Sequence, residues 1–425
     1  MRERSVWRRA CGLTHTVVEG VDFDDEAEAV IVSVRPNARA RGRCGRCGRR
    51  SPRYDRGEPG RRRWRALDLG STKVFLEAEA PRVRCRDHGP TVAVVPWARH
   101  GAGHTRDFDD QAAWLAVHVS KSAVVDLLRV AWRTVGAIVA RVSTDIDASV
   151  DRLDGLVRIG IDEISYKRGH RYLTVVVDHD TGRLVWAAPG RDDATLNRFF
   201  DELGDQRAAK ITHVSADMAG WIARVVAARA PAAVRCADPF HVVAWATEAL
   251  DVERRRAWNQ ASGRRRTDPV TGRAAMAVGD AKALKRSRYA LWKNPENLTE
   301  RQQAKLDWIA KTDPRLWRAY LLKEGLRYAF TVKGEAGKEA LDHWISWARR
   351  CRIPAFVDLQ RRIVKHRSAI NATLDSGLSN GLVESTNTKI RVLTRIAFGF
   401  HGPEPLIALA LLALGGHCPP LPGRK

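Results

Sequence analysis

Three carboxylates stand where an acid is costly or conspicuous. Asp162 lies inside the apolar run "IGIDEIS", where an ionised side chain needs a partner or a bound ion to offset its lost hydration. Asp217 closes a second apolar run, "ITHVSAD", just ahead of the turn sequence "MAGW". Glu384 is the sole acid between Asp375 and Glu404, in "SNGLVESTNTKIRVLTR", with Lys389, Arg391 and Arg395 following it. Singly, each acid is an ordinary turn or cap residue; together they form an oxygen-donor set. Such a set suits Mg²⁺ or Mn²⁺, hard ions that keep coordination positions for water and phosphate. Two such ions can activate a water or a sugar hydroxyl and stabilise the leaving oxygen in an in-line phosphoryl displacement.

A second cluster is of softer ligands. Cys44-x-x-Cys47 is followed by Cys85-x-x-His88, two knuckles that read as a structural Cys₃His zinc site. Cys11, Cys236, Cys351 and Cys418 have no partners at such spacing and read as ordinary thiols. In "CADPFHVVAWATEAL", Asp238 and His241 fall at a strand end. They read either as the polar first turn of a helix with a core histidine or as groups supporting the metal ligands.

The elements that must position these groups follow from apolar periodicity. Residues 1–100 read as short strands at 29–34, 71–80 and 91–97, forming a zinc-binding β-rich domain. Twelve arginines lie between Arg39 and Arg65 against Asp55 and Glu58, with Tyr54 and Trp64 interleaved, a pattern that suits a nucleic-acid surface. Residues 101–150 hold three short helical segments, the pattern of a helix-turn-helix. From 155 to 251 come three antiparallel strands, a helix, a strand, a helix and a strand. That order predicts an RNase H-like core, a mixed sheet with helices on both faces. It sets the strands of Asp162 and Asp217 side by side. An all-helical insertion over 252–372, containing six tryptophans read as core, explains the 167 residues separating Asp217 from Glu384 (384 − 217). Final core helices are expected over 373–416, with a tail from 417 to 425.

Composition agrees with a polyanionic partner. Lys and Arg number 73 against 49 Asp and Glu, a net charge of +24, which points to nucleic acid. "MRERSVWRRACGL" lacks the apolar stretch of a signal peptide, and "LIALALLALGG" is too short to span a bilayer. A soluble, cytoplasmic protein associated with the nucleoid, with no membrane partner, is expected.

The ordered set of the C-x-x-C finger, "RRRWRALDLG", "IGIDEIS", "RYLTVVVDHDTGRLV", "SADMAGW", "ADPFHVV" and "SNGLVESTNTKIRVLTRIAFGF" closely resembles bacterial insertion-sequence transposases of the ISL-three type, a DDE family. The resemblance runs from about residue 40 to 415. It implies that Asp162, Asp217 and Glu384 are the catalytic triad. It also implies that the finger and three-helix unit bind transposon ends, and that the enzyme cuts double-stranded DNA at terminal inverted repeats and joins the 3′-OH to target DNA. Family members commonly carry a fourth cysteine past the third; here none follows Cys85 before Cys236, leaving His88 as the fourth ligand. On this reading Lys389, Arg391 and Arg395 face phosphate, while Asn380 and Asn387 bind DNA or orient the glutamate. A dimer or larger assembly on DNA is expected. The alternatives are a non-catalytic zinc-finger and helix-turn-helix regulator, or an RNase H-like nuclease without strand transfer.

Overall fold

The computed structural model describes residues 3–57, 60–262 and 278–424. Glu58 and the stretch 263–277 of the expected insertion lie outside the described residues. The chain forms two compact units, residues 1–152 with 391–425, and residues 153–390.

In the first unit the strands are β1 (Thr16–Asp24), β2 (Ala29–Pro36), β3 (Arg53–Asp55), β4 (Arg62–Arg65), β5 (Lys73–Ala78), β6 (Arg82–Cys85) and β7 (Gly89–Val92). One sheet has the order β1-β2-β5-β4 and another β3-β6-β7. The expected strand at 91–97 is cut short: β7 ends at Val92, and Trp97 turns inward to meet Trp64 edge-on with ring centroids 5.4 Å apart. That contact corrects the reading of Trp64 as part of a nucleic-acid surface, because its ring is buried among Val32, Val34, Val74 and Leu76. Tyr54 stays exposed, with the guanidinium groups of Arg82 and Arg84 over its ring.

Three helices follow: Arg106–His118, Lys121–Leu128 and Trp132–Asp147. Thr105 and Ser120 cap the first two by accepting from Phe108 N and Ala123 N. Arg129, in the left-handed region at φ 54°, ends the second, and the last helix starts at Trp132. Their apolar faces share a core with Leu393, Leu409 and Leu412. The helix Pro403–Leu414 therefore packs with the three-helix bundle, although the sequence assigned it to the catalytic core.

In the second unit β8 (Arg158–Lys167), β9 (Arg171–Asp178), β10 (Leu184–Pro189), β11 (His213–Ala216) and β12 (Val234–Ala237) form a sheet of order β10-β9-β8-β11-β12. The first three run antiparallel, and β11 lies parallel to both β8 and β12. Ile159, Ile161, Val176, Val214 and Ala216 pack with Leu196, Phe199, Phe200, Ile222 and Val226 from the helices Asp193–Leu203 and Gly220–Arg229. Gly160, Asp162 and Ser215 alternate with these residues and so face the other side.

The helix Pro239–Ala261 starts directly after β12 and runs through the expected boundary at 252. Helices from Val278 to Ser376 then build a separate apolar core. Thr299 and Gln302 form a capping box at the start of the helix Glu300–Thr312. Trp344 is buried and Trp258, Trp292, Trp308 and Trp317 pack against the core, while Trp347 is exposed.

Arg99 is the polar anchor of the first unit. Its guanidinium, 8% exposed, lies 2.7 Å from Asp110, 2.9 Å from Asp145 and 3.7 Å from the fully buried Asp109. Arg99→Ala should cost about 3–5 kcal/mol, because it leaves buried negative charge poorly compensated. Loss of the exposed Arg63 pairs with Glu77 and Asp24 should cost about 1 kcal/mol or less. Urea denaturation of the two variants checks this ordering.

Candidate active site and zinc site

The acids of the second unit meet because of strand register. Ile161 is paired with Ala216, and Ala216 with Ala237. The next residue on each strand is Asp162, Asp217 and Asp238, so three aspartates stand abreast at one edge of the parallel part of the sheet. Asp162 accepts from its neighbour Glu163 N at 2.8 Å and from Asn387 Nδ2 at 2.8 Å. Asp217 accepts from Ala219 N at 2.7 Å, fixing the turn into the next helix. Asp238 is buried, caps the helix Pro239–Ala261 and pairs with His241 Nδ1 at 2.6 Å.

Glu384 is half-buried in the first turn of the helix Gly381–Ile396. Potential ligand atoms of Asp238, His241 and Glu384 lie within 4.8 Å of one another. Asp238 and His241 were expected at most to support the metal ligands; the fold sets their ligand atoms beside Glu384, and puts Asp162 beside Asp217. Burial pushes the Asp162 carboxyl up to about 6, with the Asp217 charge adding to the shift. Burial likewise pushes Glu163 up to about 7, aided by Asp217 and Asp162. The Asp238 carboxylate raises His241. Glu163 escaped the sequence reading; its one signal is a second acid directly after Asp162 in an otherwise apolar strand.

Crowded carboxylates with raised affinity for protons are a cation-binding environment. The Asn387 carbonyl oxygen, buried and without a hydrogen-bond partner among the described residues, is one more oxygen donor beside Asp162. The residues present fit a divalent ion.

Asn380 and Asn387 are 0% and 1% exposed. This corrects their assignment as DNA contacts: Asn387 holds Asp162, and Asn380 bonds Ser215 and Ile161. Lys389, Arg391 and Arg395 are exposed, while Val383, Ile390, Leu393 and Ala397 form the buried stripe. The helix is thus amphipathic as its sequence indicates.

In the first unit Cys44, Cys47, Cys85 and His88 come together, with all four ligand atoms within 4.8 Å of one another. Cys47 and Cys85 sulfurs are 3.7 Å apart, and His88 Nδ1 is 3.8 Å from Cys44 and 3.6 Å from Cys85. Zn–S bonds of about 2.3 Å in a tetrahedron require ligand separations of about 3.8 Å, so the cluster has the size of a zinc site. His88 draws the Cys85 thiol down to about 6, favouring the thiolate that a metal needs. Gly45 is required in the first knuckle, since a Cβ there would lie 2.5 Å from the Val92 carbonyl oxygen.

A zinc ribbon, a helix-turn-helix and a sheet edged with acids define a DNA transposase. The chain belongs to the ISL3 family of transposases. The ISL3 DDE model described as "Transposase" matches residues 159–410. The zinc-finger of transposase IS204/IS1001/IS1096/IS1165 matches 40–88, and the helix-turn-helix domain of transposase family ISL3 matches 93–143. Along its whole length the chain is 65% identical to the transposase for insertion sequence element IS1557 of Mycobacterium tuberculosis, covering 98% of that protein. It is 28% identical to the transposase for IS1001 of Bordetella parapertussis, over 81% of this chain and 82% of that one. The family supports a catalytic transposase over a DNA-binding regulator. No helix among the described residues is long and apolar enough to cross a membrane.

Cys85→Ser should lose stoichiometric zinc, measured by metal analysis, and a chelator should lower the stability of the wild type but not of the variant. Because the folded-state pKa of Asp162 is raised, its contribution favours folding at about pH 4 and is lost as pH rises through about 6. In chelator, the stability of Asp162→Asn relative to wild type should therefore increase between about pH 4 and pH 8. Urea denaturation across that range checks it; a flat difference would contradict the burial argument.

Proposed function

We propose that this chain cleaves DNA at the terminal inverted repeats of its insertion sequence and joins the freed 3′-OH to target DNA, with Asp162, Asp217 and Glu384 as catalytic acids. The observation that carries the reading is the register Ile161–Ala216–Ala237, which sets Asp162 and Asp217 side by side at the end of parallel strands. The strand order β10-β9-β8-β11-β12, with one antiparallel meander and two parallel additions, supports an RNase H-like core. The helices between Asp217 and Glu384 are its insertion.

Asp162, Asp217 and Glu384 would hold Mg²⁺ or Mn²⁺, with Asp238 and His241 beside Glu384 able to support or share that task. When bound, such ions activate the attacking oxygen and neutralise charge at the leaving oxygen. The chain's own residues prepare that chemistry. Asn387 fixes the orientation of the Asp162 carboxylate. The Ala219 amide fixes that of Asp217, and the Asp238–His241 pair fixes the imidazole ring. Lys389, Arg391 and Arg395 bring positive charge to the same helix as Glu384 and would hold phosphates of the DNA backbone. The exposed face of the helix Trp132–Asp147, with Arg133, Ala137, Ala140 and Thr144, would lie in the major groove of the end sequence. Pairing two ends calls for a dimer or larger assembly on DNA.

Asp162→Ala, Asp217→Ala and Glu384→Ala should each lower Mn²⁺-dependent nicking and strand transfer on end-containing DNA by at least about a thousandfold, roughly 4 kcal/mol of barrier. End binding, read by mobility shift, should stay within about threefold. Full activity in any one of the three variants would remove that residue from the mechanism.

A further inference from the structure

Asn380 is fully buried one residue ahead of the Glu384 helix, and it touches three segments of chain at once. Its Nδ2 donates to the carbonyl of Ile161 at 3.3 Å, the residue before Asp162 on β8. Its Oδ1 accepts from the Ser215 hydroxyl at 2.6 Å, two residues before Asp217 on β11. Its main-chain carbonyl accepts from the amide of Glu384 at 2.8 Å. One residue thus bonds to each of the elements that bring Asp162, Asp217 and Glu384 to the site.

The second layer is equally specific. With its proton directed at Asn380, the Ser215 oxygen accepts from His179 Nε2 at 2.7 Å. The His179 amide in turn donates to Arg158 at the start of β8. Gly160 leaves the space these groups occupy. A Cβ there would lie 2.4 Å from Val383 Cγ2, 2.9 Å from His179 Nε2 and 3.1 Å from Ser215 Oγ. An aliphatic filling could pack a sheet against a helix without burying an amide, a hydroxyl and an imidazole, each of which must be desolvated. A buried polar network of this kind fixes one arrangement of its partners. Here the arrangement matters because the acids repel one another: a neutral clamp holds their elements together without adding charge.

We propose that Asn380, braced by Ser215 and His179, is a positioning residue that keeps the three carboxylates in register to receive divalent ions. This rests on the catalytic reading of Asp162, Asp217 and Glu384 above. Asn380 itself touches neither DNA nor ion; it acts through Ile161, Ser215 and Glu384.

The test is calorimetric titration of MnCl₂ into the full-length, DNA-free protein, alongside urea denaturation. Asn380→Ala and Ser215→Ala should each weaken Mn²⁺ binding by about tenfold or more. They should raise the Mn²⁺ concentration for half-maximal end cleavage, with much of the rate recovered at saturating Mn²⁺. Leu203→Ala opens a cavity in the core on the other face of the sheet. It should lower stability with Mn²⁺ binding unchanged, separating positioning from general destabilisation. Should Asn380→Ala fail to fold, Ser215→Ala decides. Wild-type Mn²⁺ affinity in the folded variants, with only stability lost, would overturn the proposal. If wild-type protein bound no Mn²⁺, or Asp162→Ala left binding unchanged, the ligand reading itself would fall and this proposal with it. The wild-type and Asp162→Ala titrations tell that failure apart.

Discussion

Pairing of β8, β11 and β12 in parallel sets the terms for everything else in the second unit. Strands in parallel register bring equivalent positions abreast at about 4.8 Å spacing, so acids that follow the last paired residues cannot avoid one another. The fold spends hydrophobic burial by Ile159, Ile161, Val214 and Ala216 on one face to hold this arrangement. On the other face it tolerates Asp162, whose ionisation burial resists. Raised proton affinity and a polar bracing network are two signs of the same electrostatic load. An ion of opposite sign would relieve that load, so stability and ligand binding are linked in this sheet.

Much of this was legible in the sequence because the signals were local. Apolar runs broken by a turn sequence marked β8, β9 and β10, and a polar residue inside an apolar strand marked Asp162. Ligand spacing within each knuckle marked the zinc cluster, although the geometry joining the two knuckles belongs to the fold.

The illegible parts share a physical cause: their meaning depends on a partner far away in the chain. Trp64 reads as exposed amid arginines until Trp97 supplies its neighbour. Asn380 and Asn387 read as amides that bind DNA or orient the glutamate until β8 supplies their partners, more than two hundred residues upstream. Asp238 and His241 carried too little weight because their proximity to Glu384 comes from tertiary structure alone. The helix Pro403–Leu414 is apolar on most sides, and such a helix does not say which core it will join.

The helix Pro239–Ala261 has mechanical meaning as well. It begins at the residue after Asp238 and runs 23 residues without a break, a rigid rod of about 34 Å. Pivoted at its N-terminus, a tilt of about 5° would carry Ala261 through about 3 Å over that length. The same rod turns a displacement of that size at its far end into a change of a few tenths of an ångström near His241. Any tilt of this helix is therefore geared down at its His241 end, which makes the acidic edge the low-amplitude end of a lever.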